Sequence, residues 1–296
     1  MARSFPFNVV AAFSTTPFQG NPAAVVFVDD TLETETLREL AAILNQPMTS
    51  VVGPRISSEN ERVAAFGMRW FTASSKEVSL CGHATMAAAR AIFERGLVGD
   101  SVEVIEFHTS MAGVMKARKV GTDSFEICLP SGMLAEVPSA EVPKIRSALT
   151  EAFGRDVSIN FIGVGREGFT PYLLVELDEQ ENLGQCTVNM DAFLETGYAV
   201  NILTTNSSAG DVQFVSRMFA PLLLPPPFSE DAVCGSAHCL LVPYWSKKKG
   251  LESNNSFRAK QVSARGGDLG LLWNQGANSV EITGNTHIIV GGDVYV

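Results

Sequence analysis

The chain has 296 residues, more than most single domains hold, and its 46% hydrophobic content is enough for a substantial core. A formal charge of −10 excludes the basic footprint of a nucleic-acid binder, and no apolar run approaches the roughly 20 residues of a membrane span. The five cysteines are odd in number and lack a Cys-x-x-Cys spacing, and the N-terminal stretch shows no signal-peptide pattern, so a reducing cytoplasm is expected and a disulfide framework is not.

In chain order, residues 7–13 read as a strand, 14–22 as a polar loop and 23–28 as a second, buried strand. Leu37, Leu40, Ala41 and Leu44 recur at helical spacing, and Asn45-Gln46-Pro47 stops that helix. Residues 63–71 are strand-like and lead to Leu80-Cys81-Gly82-His83-Ala84-Thr85, a turn that feeds an apolar helix. Strands follow at 101–108, 113–120 and 124–129, and Pro130-Ser131-Gly132 ends the run. Residues 139–153 form a helix with Pro143 in its first turn and Gly154 past its end.

The strand pattern resumes at 157–164, 170–177, 199–205 and 212–219. A second turn of the same kind, Glu230-Asp231-Ala232-Val233-Cys234-Gly235-Ser236-Ala237-His238, then opens another buried helix. Lys247-Lys248-Lys249-Gly250 gives that helix a basic C-terminus and a glycine stop. The tail carries Gln261 and Arg265-Gly266-Gly267, then strands at 279–283, 287–290 and 293–296. Many short strands around few helices indicate an α+β fold rather than alternating βαβ units.

Two motifs are rejected. Gly163-Val164-Gly165-Arg166-Glu167-Gly168 matches the dinucleotide fingerprint in letters, but a strand follows it instead of a helix, so it reads as a hairpin turn. Cys234, His238 and Cys239 have a spacing that zinc could use; packing in a core explains them as well, and no metal is expected.

The candidate chemistry gathers at the two Cys-Gly turns. Cys81 and Cys234 each open a helix, where a thiol's pKa can fall toward neutrality, so a two-thiol proton transfer is one reading and core packing the other. His83 suits proton transfer near neutral pH, or a helix-capping role. Asp231 suits a base, a substrate-orienting group or a cap. Ser236 suits an oxyanion donor, and Arg265 an anion ligand or an exposed turn residue. His108, His238 and His287 read as structural.

With these motifs in place, the chain resembles the PhzF family of phenazine biosynthesis-like isomerases over nearly its whole length. The likeness rests on Pro17-Phe18-Gln19-Gly20-Asn21-Pro22-Ala23-Ala24-Val25, on Arg69-Trp70-Phe71-Thr72 leading to the first Cys-Gly turn, and on Phe214-Val215-Ser216-Arg217. The run Glu230 to His238 with Pro243-Tyr244-Trp245, and Gln261 with Arg265-Gly266-Gly267, complete it.

The resemblance implies two pseudo-symmetric halves like those of diaminopimelate epimerase, each an antiparallel sheet wrapped around a central helix. Residues 1–123 with the C-terminal strand, about 287–296, would form one half, and 124–286 the other. It implies a cofactor-free homodimeric isomerase acting on a small carboxylate-bearing substrate in the cleft between the halves. His83 and Asp231 would be catalytic, with Asn21, Met48, Gly82, Gly235, Ser236, Gln261 and Arg265 on the substrate-binding side.

One departure is central. Where the family carries an acid/base glutamate in an Asn-x-x-Glu-Thr motif, this chain reads Asn45-Gln46-Pro47-Met48-Thr49, and a thioether cannot shuttle a proton. The opening Val10-Ala11-Ala12-Phe13 replaces the family's usual Val-Asp-Ala-Phe, and the loop at 221–228 is longer and more apolar than usual. These changes point to a site remade for a more apolar substrate. The alternatives are a two-cysteine racemase or epimerase using Cys81 and Cys234, a non-catalytic binding protein, and a shape-driven cyclase.

Overall fold

The computed structural model describes residues 3–29, 32–111, 113–208 and 210–296; Met1 and Ala2, part of the stretch read above for a leader, lie outside them. The chain forms two compact units, Met1–Cys128 with Ile282–Val296, and Leu129–Glu281. Among the described residues no helix is long and apolar enough to cross a membrane.

In the first unit the strands β1 (Ser4–Ala12), β2 (Asn21–Phe27), β3 (Met48–Ile56), β4 (Val63–Thr72), β5 (Glu77–Val78), β6 (Val104–Thr109), β7 (Gly113–Lys119) and β8 (Ser124–Pro130) accompany the helices α1 (Thr34–Leu44) and α2 (Gly82–Glu94). Neighbours pair antiparallel except β2 with β3 and β4 with β6, which run parallel. β8 belongs to this sheet for most of its length, which carries the unit past the expected limit at residue 123. Residues 48–56 follow Pro47 and contain Gly53 and Pro54, which disfavour regular pairing. They form a strand nonetheless, since the register shifts between Val52 and Arg55 and Pro54 falls in that irregularity.

The second unit contains β9 (Leu134–Glu136), α3 (Val142–Phe153), β10 (Ile159–Gly165), β11 (Tyr172–Leu177), β12 (Val200–Asn206), β13 (Val212–Phe219), β14 (Glu230–Asp231), α4 (Gly235–Lys249), β15 (Phe257–Gln261) and β16 (Gly267–Asn274). β10 and β11 are antiparallel neighbours, so the glycine-rich segment between them is the hairpin turn expected. Its strand pairings repeat those of the first unit. β11 runs parallel to β12 as β2 does to β3, and β13 parallel to β15 as β4 does to β6. β15 and β16 were not legible as strands.

A single long strand, β17 (Ser279–Tyr295), stands where three short ones were expected. It pairs antiparallel with β1 from Ser4↔Tyr295 to Ala12↔Thr286, and also with β8, closing the first unit's sheet on itself around α2. Position 284 of this strand is a glycine because a Cβ there would lie 2.5 Å from the Phe13 ring. Phe13 itself takes a left-handed φ of 64°.

Each unit wraps its sheet around one helix. Ten of the thirteen α2 residues are buried, and five alanines among them let the strands approach closely. α4 is buried nearly all round and contains Pro243, which has no N–H to give to the carbonyl of Cys239. That carbonyl accepts instead from the Gly132 N–H at 2.9 Å. Gly132 is required there, because a Cβ would sit 2.7 Å from Leu240.

A second repeated feature joins sheet to helix. Arg69 on β4 makes a two-pronged ion pair with Glu77 on β5, with both contacts at 2.8 Å. Arg217 on β13 does the same with Glu230 on β14, at 2.6 and 2.9 Å. Each guanidinium lies 5.0 Å from the ring of the phenylalanine two residues later, Phe71 or Phe219. The second clasp is the more enclosed, and Arg217 also donates to the Cys186 carbonyl at 2.7 Å. Removing one partner of such a pair strands a buried charge. Arg217→Met is therefore expected to lower the unfolding free energy by about 3 kcal/mol. Arg62→Ala, which breaks the exposed pair with Glu103, should cost less than about 1 kcal/mol. Urea denaturation of both variants checks the contrast.

Candidate active site

In the first unit the chain leaves the β4–β5 hairpin and enters α2 through Cys81, whose backbone is extended (φ −149°, ψ 108°). No side chain caps the helix, so its first N–H groups are available to an anion. Gly82 and His83 follow, both buried. The Cys81 thiol lies 3.3 Å from His83 Nδ1, and Thr85 Oγ1 donates to the Cys81 carbonyl at 2.7 Å. His83 Nε2 is buried and has no hydrogen-bond partner among the described residues. Burial, with no compensating charge, pushes the His83 pKa down to about 3. The ring is therefore neutral at physiological pH, where a titrating histidine was expected.

The neighbouring strands hold the other candidates of this unit. Asn21 opens β2 and is fully buried, and Met48 opens β3 opposite Ala23 and Thr72. Met48 is 7% exposed, so the thioether fills a nearly closed position. Two residues on, Ser50 Oγ donates to the Ala84 carbonyl at 2.9 Å and ties β3 to the first turn of α2.

The second unit builds the same turn with different chemistry. Cys234 is extended (φ −101°, ψ 107°) at the N-cap of α4. Asp231 lies on β14 opposite Met218. The Cys234 thiol lies 3.3 Å from Ser236 Oγ, and Ser236 Oγ accepts from Tyr172 Oη at 3.0 Å. His238 Nδ1 stands 2.7 Å from the Cys234 carbonyl and donates to it, since a carbonyl only accepts. Burial pulls the His238 pKa down to about 4. Its Nε2 is buried and without a hydrogen-bond partner among the described residues.

Cys234 corrects an expectation. A helix N-terminus lowers a thiol's pKa, but here burial first, and the Asp231 carboxylate second, raise it well above its ordinary value. Cys234 is a protonated thiol held between Asp231 and Ser236. Desolvation likewise raises Tyr172, keeping its hydroxyl a donor.

Gln261 is also recast. It is fully buried, its Oε1 accepts from the Cys234 N–H at 2.9 Å, and its Nε2 donates to the Asp231 carbonyl at 2.6 Å. Its amide braces the turn from behind. Ser263 extends the brace by donating to the Ala232 carbonyl at 2.6 Å while accepting from the Gly266 N–H at 3.1 Å. Arg265 sits half-buried on this loop, where desolvation lowers its pKa. Gly235 is buried behind Cys234. Hydrogen bonds thus link Asp231, Cys234, Ser236, Gln261 and Tyr172 in one cluster. Tyr172 escaped the sequence reading; its one signal was a tyrosine opening a buried strand, whose hydroxyl must find a partner. Among the described residues no cluster of three or more His, Cys, Asp or Glu is placed to hold a metal ion.

Two strand-wrapped helices entered through matching Cys-Gly turns define the class of α+β proteins built like diaminopimelate epimerase. The comparisons narrow the class. A family model described as phenazine biosynthesis-like protein matches residues 10–292. An uncharacterized isomerase of Pseudomonas aeruginosa is 34% identical over 97% of both chains. One from Halalkalibacterium halodurans is 32% identical over 89% of both. A crystal structure of an Enterococcus faecalis protein of the PhzF family superposes with a TM-score of 0.82 at 28% identity, covering 99% of this chain and 100% of the other. The chain belongs to the PhzF (phenazine biosynthesis-like) family. A hydroxyproline epimerase of Agrobacterium vitis shares the fold alone, with a TM-score of 0.59 at 15% identity over 99% of this chain and 91% of the other.

Two measurements follow from this geometry. Gln261→Ala leaves the Cys234 N–H and the Asp231 carbonyl without their partner, and should destabilise the protein by about 1–3 kcal/mol in urea denaturation. Iodoacetamide at pH 8 should modify the exposed Cys128 first. Cys234, short of thiolate, should react at least about tenfold more slowly than in urea-unfolded protein, as peptide mass spectrometry will show.

Proposed function

We propose that this protein is a cofactor-independent isomerase that relocates a proton on a small, carboxylate-bearing metabolite with an apolar portion. The observation that carries the reading is His83. It is a neutral, buried imidazole at an uncapped helix N-terminus, with one nitrogen held by Cys81 and the other without a partner among the described residues. Burying a polar nitrogen without a partner is costly, and such a site becomes satisfied when a ligand supplies the missing group. Family membership supports proton transfer as the use made of it.

In this reading the N-terminus of α4 and the Ser236 hydroxyl receive the substrate carboxylate and stabilise the charge that develops on it. Asp231 takes the proton from the carbon being deprotonated. The electron pair left behind delocalises through an adjacent carbon–carbon double bond of the substrate, and a proton is returned at the far carbon of that allylic system, so atoms and charge balance with no external reactant. At the matching turn of the first unit His83, neutral at working pH, offers a hydrogen-bond donor to an oxygen of a ligand. Met48, where the resemblance expects a glutamate, contributes apolar surface. The loop between β13 and β14 of the second unit is apolar as well, with Leu222 and Leu223 exposed.

The two-cysteine racemase reading is weakened by the protonated state of Cys234. Met48, a thioether that cannot carry a proton, favours a second reading, a binding protein without turnover.

Screening amino and hydroxy acids in deuterium oxide by proton NMR will identify the substrate. Against it, His83→Ala and Asp231→Asn should each lower kcat/KM by about 10²–10⁴-fold. Unchanged turnover in both variants overturns the reading. Proton exchange surviving both of them but lost in Cys81→Ala and Cys234→Ala returns the two-thiol mechanism to the front. No exchange with any acid, together with binding of one of them, supports the non-catalytic reading.

A further inference from the structure

The two units solve the same turn with the same contact. At the α2 N-terminus the thiol of Cys81 lies 3.3 Å from the side chain two residues on, His83 Nδ1. At the α4 N-terminus the thiol of Cys234 lies 3.3 Å from the side chain two residues on, Ser236 Oγ. The partner changes from imidazole to hydroxyl while the sulfur, the glycine after it and the distance stay. The position one helical turn past each cysteine also keeps one job, since Thr85 donates to the Cys81 carbonyl and His238 to the Cys234 carbonyl. Both main-chain carbonyls are thereby engaged, and each turn is rigid.

We propose that Cys81 is a positioning residue for His83, its S–H donating to Nδ1 so that the ring is fixed as the Nε2–H tautomer and presents a donor rather than a lone pair. The proposal deepens the reading of His83 given above. Two neutral groups face each other in a buried site. Between them the imidazole lone pair is a far better acceptor than thiol sulfur, so the proton lies on sulfur and points at nitrogen. The low pKa of the ring keeps it from taking that proton outright. What faces a ligand is then Nε2–H, suited to an oxyanion or a carbonyl oxygen. The assignment also explains how a cysteine at a helix start can be useful without being a nucleophile.

His238 supplies an internal reference of opposite sense, because its Nδ1 donates to a backbone carbonyl. The test is long-range proton–nitrogen correlation NMR on protein labelled with 15N-histidine, with His83 assigned from its loss in His83→Gln. In the wild type at pH 7, His83 should show a protonated Nε2 and a bare Nδ1, and His238 the reverse. Cys81→Ser, which keeps a donor, should preserve the His83 pattern. Cys81→Ala should shift it toward Nδ1–H or a mixture, while His238 signals stay in place and report an intact fold.

A wild-type His83 protonated on Nδ1 overturns the proposal, as does an unchanged His83 tautomer in a folded Cys81→Ala. Should Cys81→Ala fail to fold, the wild-type and Cys81→Ser patterns still decide. The tautomer is read without substrate, so it stands apart from the activity test. Full turnover in His83→Ala would remove the catalytic role and leave the tautomer result intact.

Discussion

The arginine–glutamate clasp is the constraint on which both halves depend. A helix N-terminus can serve as an anion site only if the chain entering it is held in one conformation. Here the entering chain is a very short strand, β5 or β14, that could not keep its place by two ladder positions alone. The two-pronged ion pair pins it to the preceding strand, and the aromatic ring beneath the guanidinium fixes the angle. The extended Cys residue and the Gly follow directly from that anchor. In the second unit Gln261 braces the same turn from the opposite side, so its shape is fixed twice.

On this shared frame the halves have diverged where chemistry would be done. Aligned by the clasps, Val78 in the first unit occupies the place of Asp231 in the second, and His83 the place of Ser236. One half offers a neutral imidazole in an apolar surround. The other offers a carboxylate, a hydroxyl and a tyrosine whose hydroxyl is kept protonated. The connection inside the clasp has diverged too, from the polar Ala73-Ser74-Ser75-Lys76 to the leucine- and proline-rich segment after Ala220. A duplicated scaffold has kept what sets backbone geometry and changed what meets a ligand.

Both Cys-Gly turns, the helix stops at Asn45, Gly154 and Gly250, and the false dinucleotide motif were legible in the sequence, because each depends on residues within one turn of one another. The clasps were not, since Arg217 and Glu230 are brought together only by a strand pairing. Nor was the bracing role of Gln261, thirty positions from Asp231, or the contact between Tyr172 and Ser236 across sixty-four. β3 was hidden by proline and glycine that mark an irregular register rather than a loop, and β17 by glycines that make room for Phe13, Asn8 and Phe7. The protonation of Cys234 was out of reach for a different reason. Helix dipole and burial act on a thiol in opposite senses, and only the coordinates show which is larger.

The path of β17 carries a consequence for how the molecule comes into being. Residues 282–296 complete a sheet begun by β1, with Ser4 lying beside Tyr295. The intervening unit, Leu129–Glu281, is synthesised between β1 and this partner strand. The later-made unit is therefore free to reach its fold first, while the earlier-made one waits with an open strand edge. Such an edge is what aggregation and chaperones both recognise. Closure of a loop of this length also favours slow folding, and it makes completion of the first unit depend on the strand that follows the second.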